Sequence, residues 1–225
     1  MKIRHQPFNK KTINIDEAAQ KKIAVYTLAT VHFFGILGIA YPPTNPFFVS
    51  ATPFSLITTS LILFFFHREW NIPFVFFACT TFLVGYSIEV IGVKTALIFG
   101  SYNYGEALGF QVMEVPVIIG LNWLILTYAC GVISRSLSQS LFIASLVGSV
   151  LMVGLDILIE PVAIALDFWN WSGGLIPLKN YVGWFIISFV LQILFHSLRF
   201  DKNNVLAKYV IFVQAIFFII LQIIK

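Results

Sequence analysis

The chain has 225 residues, of which 59% are hydrophobic, 16% aromatic and only 11% charged, with a mean hydropathy of +0.89. A soluble domain carries about 25% charged residues because its surface must face water, and no stretch here is long and polar enough to be one. Kinases, dinucleotide-binding enzymes and nucleic-acid binders are thereby excluded, and an integral membrane protein is expected.

A helix that crosses the hydrocarbon core needs about 20 mostly apolar residues. Seven stretches qualify, roughly 22–41, 52–66, 72–93, 116–133, 140–166, 182–198 and 205–224. The runs are continuous rather than alternating, which argues against a barrel. The second run is short and borrows from the proline-rich turn before it (Pro42, Pro43, Pro46, Pro53). Pro161 lies inside the fifth, and proline removes a helix hydrogen bond, so a kink or break is expected at Glu160-Pro161. The expected fold is an all-α polytopic transmembrane bundle of about seven spans. Residues 1–21 form a basic cytoplasmic segment and 22–225 a single transmembrane domain.

Orientation follows from the basic residues of the short loops. With the N-terminus in the cytoplasm, only Lys94, Lys179 and Lys225 of the 14 Lys and Arg fall on the opposite side. The net charge of +4 has the same origin, and the basic N-terminal segment suits contact with anionic lipid. Its first apolar run lacks the small-residue cleavage site of a signal peptide. It is therefore read as a retained helix. Cys79 and Cys130 both fall within spans, where small core residues are expected rather than a disulfide framework.

Walker A, G-x-G-x-x-G, C-x-x-C and H-E-x-x-H motifs are absent. The histidines (His5, His32, His67, His196) are scattered over the tail and three spans, without metal-ligand spacing. His67 and His196 sit at cytoplasmic helix ends, while His32 lies deeper. A retinal protein needs a lysine in the middle of its last helix, but Lys208 stands near the start of this one.

What the spans do contain is acid. A carboxylate at mid-bilayer costs on the order of 3 kcal/mol on insertion scales, so such a residue is read as functional by default. Glu89 lies in the third span, and Asp156 and Glu160 lie in the fifth, four apart and so on one helix face. Tyr86 shares the face of Glu89. With about 1.5 Å of rise per residue, all three acids fall in the outer half of their spans, near the level of Asn122 and Trp123. The two longest connections, 94–115 and 167–181, open on that same side. Both are rich in aromatics and glycine, and they read as lids or partly re-entrant segments.

Two carboxyls held out of water can divide the roles of general acid and general base. Among aromatics in an apolar pocket, the fitting substrate is a lipid-soluble alkene, whose tertiary cation aromatic faces stabilise. Capture by water gives an alcohol, and capture by an internal double bond gives a ring. A cyclase, a proton-coupled lipid transporter and a non-catalytic pigment-binding protein use similar features and remain open at this point.

The runs Glu89-Val-Ile-Gly92, Phe99-Gly100-Ser-Tyr102-Asn-Tyr104-Gly105, Leu108-Gly109, Val115-Pro116 and Asn122-Trp123 carry a resemblance, joined by Asp156-Ile-Leu-Ile-Glu160-Pro161, Trp169-Asn-Trp171, Ile176-Pro177, Asn180 and Gly183-Trp184. Over about residues 72–198 the chain resembles the membrane-integral carotenoid biosynthesis family. Its characterised members are γ-carotene 1′,2′-hydratases and bisanhydrobacterioruberin hydratases. Glu160 stands where the family often has Asp, Ala96 where many members have Gly, and Gly120 where a second proline is common. The resemblance implies cofactor-independent and metal-free addition of water across the terminal C=C of a carotenoid ψ-end. Asp156, Glu160 and Glu89 would be the catalytic acids. Tyr86, Tyr102, Tyr104, Asn122, Trp123, Trp171, Asn180 and Trp184 would bind substrate or position water and the carboxyls. The implied partners are a polyene, water, the lipid bilayer of a bacterial inner (cytoplasmic) membrane and other carotenoid enzymes, with no nucleic acid.

Overall fold

A computed structural model describes residues 16–224; most of the basic segment expected over 1–21 lies outside them. Eight helices account for most of the described residues: α1 (Glu17–Ala40), α2 (Asn45–Ser50), α3 (Thr52–Phe65), α4 (Ile72–Thr95), α5 (Ile118–Leu137), α6 (Leu141–Ala165), α7 (Leu178–Ser197) and α8 (Ala207–Ile224). Six of these, all but α2 and α3, are long and apolar enough to cross a membrane. The seventh expected span is α3, whose 14 residues reach only about 21 Å at 1.5 Å per residue. The residues expected to extend it form α2 instead, which is separated from it by a bend at Ala51. Pro46 and Pro53 open these two helices, a position where the missing N–H costs nothing.

The other boundaries follow local chemistry. The Asn71 side chain caps α4 by accepting from the Phe74 N–H at 2.9 Å, and the Ser140 hydroxyl caps α6 by accepting from Ile143. α6 continues through Pro161, so the chain is not broken there. The proline lies on the exposed surface of the helix, so its ring displaces no neighbouring helix. Residues on both sides of it, Glu160, Val162 and Ala163, are buried on the packed face. Gln222 of α8 donates to Leu158 O in the turn before it at 2.6 Å.

α5 is the central helix, with contacts to α3, α4, α6, α7 and α8. Two cores form around it. One surrounds the acids and includes Trp123, Met152, Trp171 and Trp184. The other lies towards the opposite end and gathers Leu28, Leu63, Phe77, Tyr128 and Phe195. There His67 stacks on Phe74 with ring centroids 3.7 Å apart. Its Nε2–H donates to Glu69 O, so its Nδ1 accepts from the Tyr128 hydroxyl at 2.8 Å. Burial holds His67 below the usual histidine range. Cys130 is buried as expected, but Cys79 is exposed on the outer surface.

Four short strands occupy the two long connections: β1 (Tyr102–Tyr104), β2 (Gln111–Val112), β3 (Val115–Pro116) and β4 (Trp169–Trp171). β2 and β3 form a local hairpin. β1 and β4 come from different connections and pair antiparallel, with Tyr102 opposite Trp171, Asn103 opposite Asn170 and Tyr104 opposite Trp169. The connections are thus one joined roof rather than two separate lids.

Between α4 and β1 the chain turns at Ala96, which is left-handed with φ +55°. A Cβ in this conformation costs roughly 1–2 kcal/mol, and glycine avoids that cost. Ala96→Gly is expected to stabilise the protein by about 1 kcal/mol, read as a higher midpoint in thermal or denaturant unfolding in detergent.

Candidate active site

Glu89 on α4 and Asp156 and Glu160 on α6 are 3%, 1% and 1% exposed. Carboxyls this deep need hydrogen-bond donors, since an unpaired buried charge is costly. The paired strands supply them. Alternate residues of a strand share a face, so β1 directs both tyrosines, and β4 both tryptophans, down onto the helices.

Glu89 receives three donors. The hydroxyls of Tyr102 and Tyr104 donate to its Oε2 at 2.6 and 2.8 Å, and Trp123 Nε1 of α5 donates to Oε1 at 2.9 Å. Gly92 makes room for this arrangement, because a Cβ there would stand 2.8 Å from Phe99 and 3.0 Å from the Tyr102 hydroxyl. Glu160 also receives three. The indole N–H groups of Trp169 and Trp171 reach its Oε2 at 3.0 and 2.9 Å, and Asn180 Nδ2 of α7 reaches Oε1 at 2.9 Å. On each side chain Oε2 accepts two donors and Oε1 only one, which leaves Oε1 room to carry a proton.

Asp156 differs. Asn180 Nδ2 also donates to its Oδ2 at 2.9 Å, which ties the two α6 acids through one amide. Its Oδ1 is buried without a partner among the described residues. Under the roof lies a cavity of about 20 Å³ lined by Glu89, Glu160, Asn122, Asn180 and the rings of Phe99, Tyr102, Tyr104, Trp169, Trp171 and Trp184, with Ile119. That is room for about one water. Asp156 is not in this lining and stands behind Asn180.

The structure therefore gathers most of the expected residues but assigns them different places. Tyr102, Tyr104, Asn122, Trp171, Asn180 and Trp184 line the cavity with Glu89 and Glu160. Trp123 acts from behind, hydrogen-bonded to Glu89 and stacked on Trp184 with ring centroids 4.1 Å apart. Tyr86 stands apart from the cavity, and its hydroxyl donates to Val112 O at 2.6 Å, tying the β2–β3 hairpin to α4. Sequence reasoning left out Phe99, Ile119 and Trp169 from the site. Trp169 had a signal, since the alternation in Trp-Asn-Trp places both indoles on one face of a strand, and Phe99 opens the run that holds Tyr102 and Tyr104; Ile119 had none.

A family model described as carotenoid biosynthesis protein matches residues 47–224, a wider span than the motifs themselves cover. The chain belongs to the carotenoid biosynthesis protein family. It is also similar to a bisanhydrobacterioruberin hydratase from Haloarcula japonica, 28% identical over 133 residues, which are 53% of this chain and 43% of that protein. The chain thus matches less than half the length of this relative. No solved structure matches the chain. For a carotenoid biosynthesis protein the setting is apt: a multi-pass apolar bundle keeps its acids where a polyene dissolves.

Burial first, and the neighbouring Glu89 carboxylate second, push the ionisation of Tyr102 and Tyr104 well above the usual tyrosine range. Both therefore stay hydrogen-bond donors through neutral pH. With values raised on folding, the stability they carry is whole below about pH 10, tyrosine's ordinary value, and is lost as pH climbs beyond it. Between about pH 9 and 12 the wild type should lose more stability than a Tyr102→Phe/Tyr104→Phe variant, measured as unfolding midpoints. Near neutrality the order reverses: each lost bond to a carboxylate should cost about 1.5–3 kcal/mol.

Proposed function

We propose that the chain is a carotenoid hydratase that adds water across the terminal C=C of a ψ-end and leaves a tertiary alcohol. The observation that carries this reading is the pair of carboxyls, Glu89 and Glu160, facing one cavity of a single water's size beneath an aromatic roof, in a chain of the carotenoid biosynthesis family.

In the proposed reaction the α6 acids hold one proton between them, linked through Asn180, and Glu160 delivers it to the less substituted alkene carbon. The C=C π bond breaks, a C–H bond forms and the positive charge moves to the tertiary carbon. The faces of the cavity rings, Trp184, Phe99 and Tyr104 among them, stabilise that cation. The oxygen of the water, held by Glu89 and Asn122, forms the C–O bond, and the proton it sheds passes to Glu89. Proton return from Glu89 to Glu160 through the next water closes the cycle. Nothing is oxidised or reduced, and the product gains one H₂O. Asp156 is a positioning residue here, acting on Glu160 through the shared amide.

A cavity for one water does not admit an isoprenoid end, so the ψ-end enters when β1 and β4 separate and open the roof between them. Asn103 and Asn170, opposite each other on the two strands, allow this to be tested. Facing strand positions lie about 4.5–5.5 Å apart at Cα, within disulfide range. In a Cys79→Ser background, an Asn103→Cys/Asn170→Cys pair should stop turnover when oxidised and release it on reduction. Undiminished turnover of the oxidised form would rule out entry past the roof.

The primary test is pigment analysis by chromatography and mass spectrometry in a bacterial host that accumulates lycopene or γ-carotene. A more polar product heavier by one water is expected. An isobaric product would identify a cyclase instead. Glu160→Gln and Glu89→Gln, at wild-type protein level, should each lower product formation by about 100-fold or more. Asp156→Asn should retain more activity than either, and full activity in both glutamine variants would sink the assignment.

A further inference from the structure

At the end of the bundle opposite the acids, the chain gathers cations that no described carboxylate pairs with. Lys21 of α1, Arg135 of α5, Lys202 of the α7–α8 connection and Lys208 of α8 line one hollow of about 640 Å³, a size common among ligand sites. Among the described residues Asp201 is the only acid in that lining. Its Oδ1 already accepts from the Asn203 backbone N–H and side-chain amide at 2.9 and 2.7 Å. None of the four cations makes an ion pair with a described acid. Residues 1–15 contain no Asp or Glu to take that role instead.

Neutral groups hold these cations in place. Lys202 is half-buried; its Nζ donates to Leu198 O at 2.5 Å and stands 4.3 Å from the centre of the Phe200 ring. Arg135 donates to Gln139 O at 2.7 Å. Lys21 and Lys208 both approach the face of Tyr209, with Nζ 5.5 and 5.3 Å from the ring centre. Carbonyls and ring faces orient a cation without cancelling its charge. A guanidinium has five N–H donors, and only one on Arg135 has a described acceptor. Burial first, and the Arg135 guanidinium second, hold Lys202 below the usual lysine range, although Glu69 and Asp201 pull the other way. Beside the cations the wall is apolar, with Val132, Ile133, Phe200 and Val205. The complementary guest is anionic at one end and apolar next to its charge.

We infer that the hollow between α1, α5 and α8 binds a phosphate group, carried there by an anionic phospholipid. A phosphate offers oxygens that a guanidinium takes two at a time, and basic pockets between transmembrane helices suit acidic lipid headgroups. The apolar residues beside the cations favour a lipid over free phosphate, because a phosphate bearing acyl chains meets both parts of the wall. Three helices and the α7–α8 connection meet at the hollow, so a bound headgroup ties them together and stabilises the folded chain. The inference stands apart from the hydratase reading, since it uses none of the acid-site residues.

The test uses the full chain in neutral detergent, given equal amounts of phosphatidylglycerol and phosphatidylcholine, with retained lipid read by native mass spectrometry. Phosphatidylglycerol should be retained in preference and should raise the thermal unfolding midpoint more. Arg135→Gln and Lys202→Gln should each weaken its retention about tenfold, the effect of one charge-assisted hydrogen bond. Lys208→Gln, an exposed member of the lining, is the milder variant should Lys202→Gln fail to fold, and it should also weaken retention. Lys22→Gln and Arg199→Gln remove the same charge from exposed neighbouring positions outside the hollow. Salt screens such charges, so these two should change retention by about twofold or less. Inorganic phosphate and glycerol phosphate distinguish the sources: failure of either to displace the lipid assigns the hollow to the membrane, and displacement would overturn the lipid assignment in favour of a soluble phosphate. Equal retention of the two lipids, or equal losses in Lys22→Gln and Arg199→Gln, would overturn the site itself.

Discussion

Glu89 and Glu160 are carboxyls placed inside an apolar bundle, and the architecture of that end of it follows from the need to compensate them. Removing a charge from water costs several kcal/mol even after relaxation, and helices made of Leu, Ile, Phe and Val have few donors to give. The donors come instead from side chains that are apolar in body and polar at the tip: two tyrosines, three tryptophans and one asparagine. Four of the six reside on β1 and β4, so the strand pairing that joins the two connections is also what completes the acid site.

That solution has a chemical consequence. A roof of rings that donates hydrogen bonds from its edges also excludes bulk water and presents π faces to whatever lies beneath it. The same side chains that make the carboxyls tolerable make the cavity suitable for a carbocation and limit its water to about one molecule. The opposite half is built differently. There His67, Tyr128 and Asn204 satisfy each other and nearby carbonyls within a close-packed aromatic cluster, and no acid is buried among them. One end of the bundle carries the site, and the other holds the helices together.

Much of this was legible before any coordinates, because hydrophobic length and the rarity of intramembrane acids are strong signals. The six long helices begin and end within a few residues of the expected spans, and the three acids lie together towards one end of the bundle, as helical rise places them at a similar level. The failures are local and have physical causes. Pro161 does not break α6; it lies on the exposed surface, and Glu160, Val162 and Ala163 beside it stay buried. α3 is shorter than a span because a bend at Ala51 diverts the preceding residues into α2. Tyr86 is spaced to share a face with Glu89, yet its hydroxyl is drawn to the Val112 carbonyl of a hairpin that no helical periodicity reveals.

The sequence by itself determined the membrane class, the limits of the six long helices to within a few residues, and which acids would be buried, since each depends on composition or on spacing along one helix. Only the tertiary structure decided the division of labour among those acids. Glu89 and Glu160 face a shared cavity while Asp156 stands behind Asn180, because β1 pairs with β4 and α7 inserts its amide between the two α6 carboxyls. Both contacts join segments more than 20 residues apart, and no local pattern encodes which distant donor reaches which oxygen.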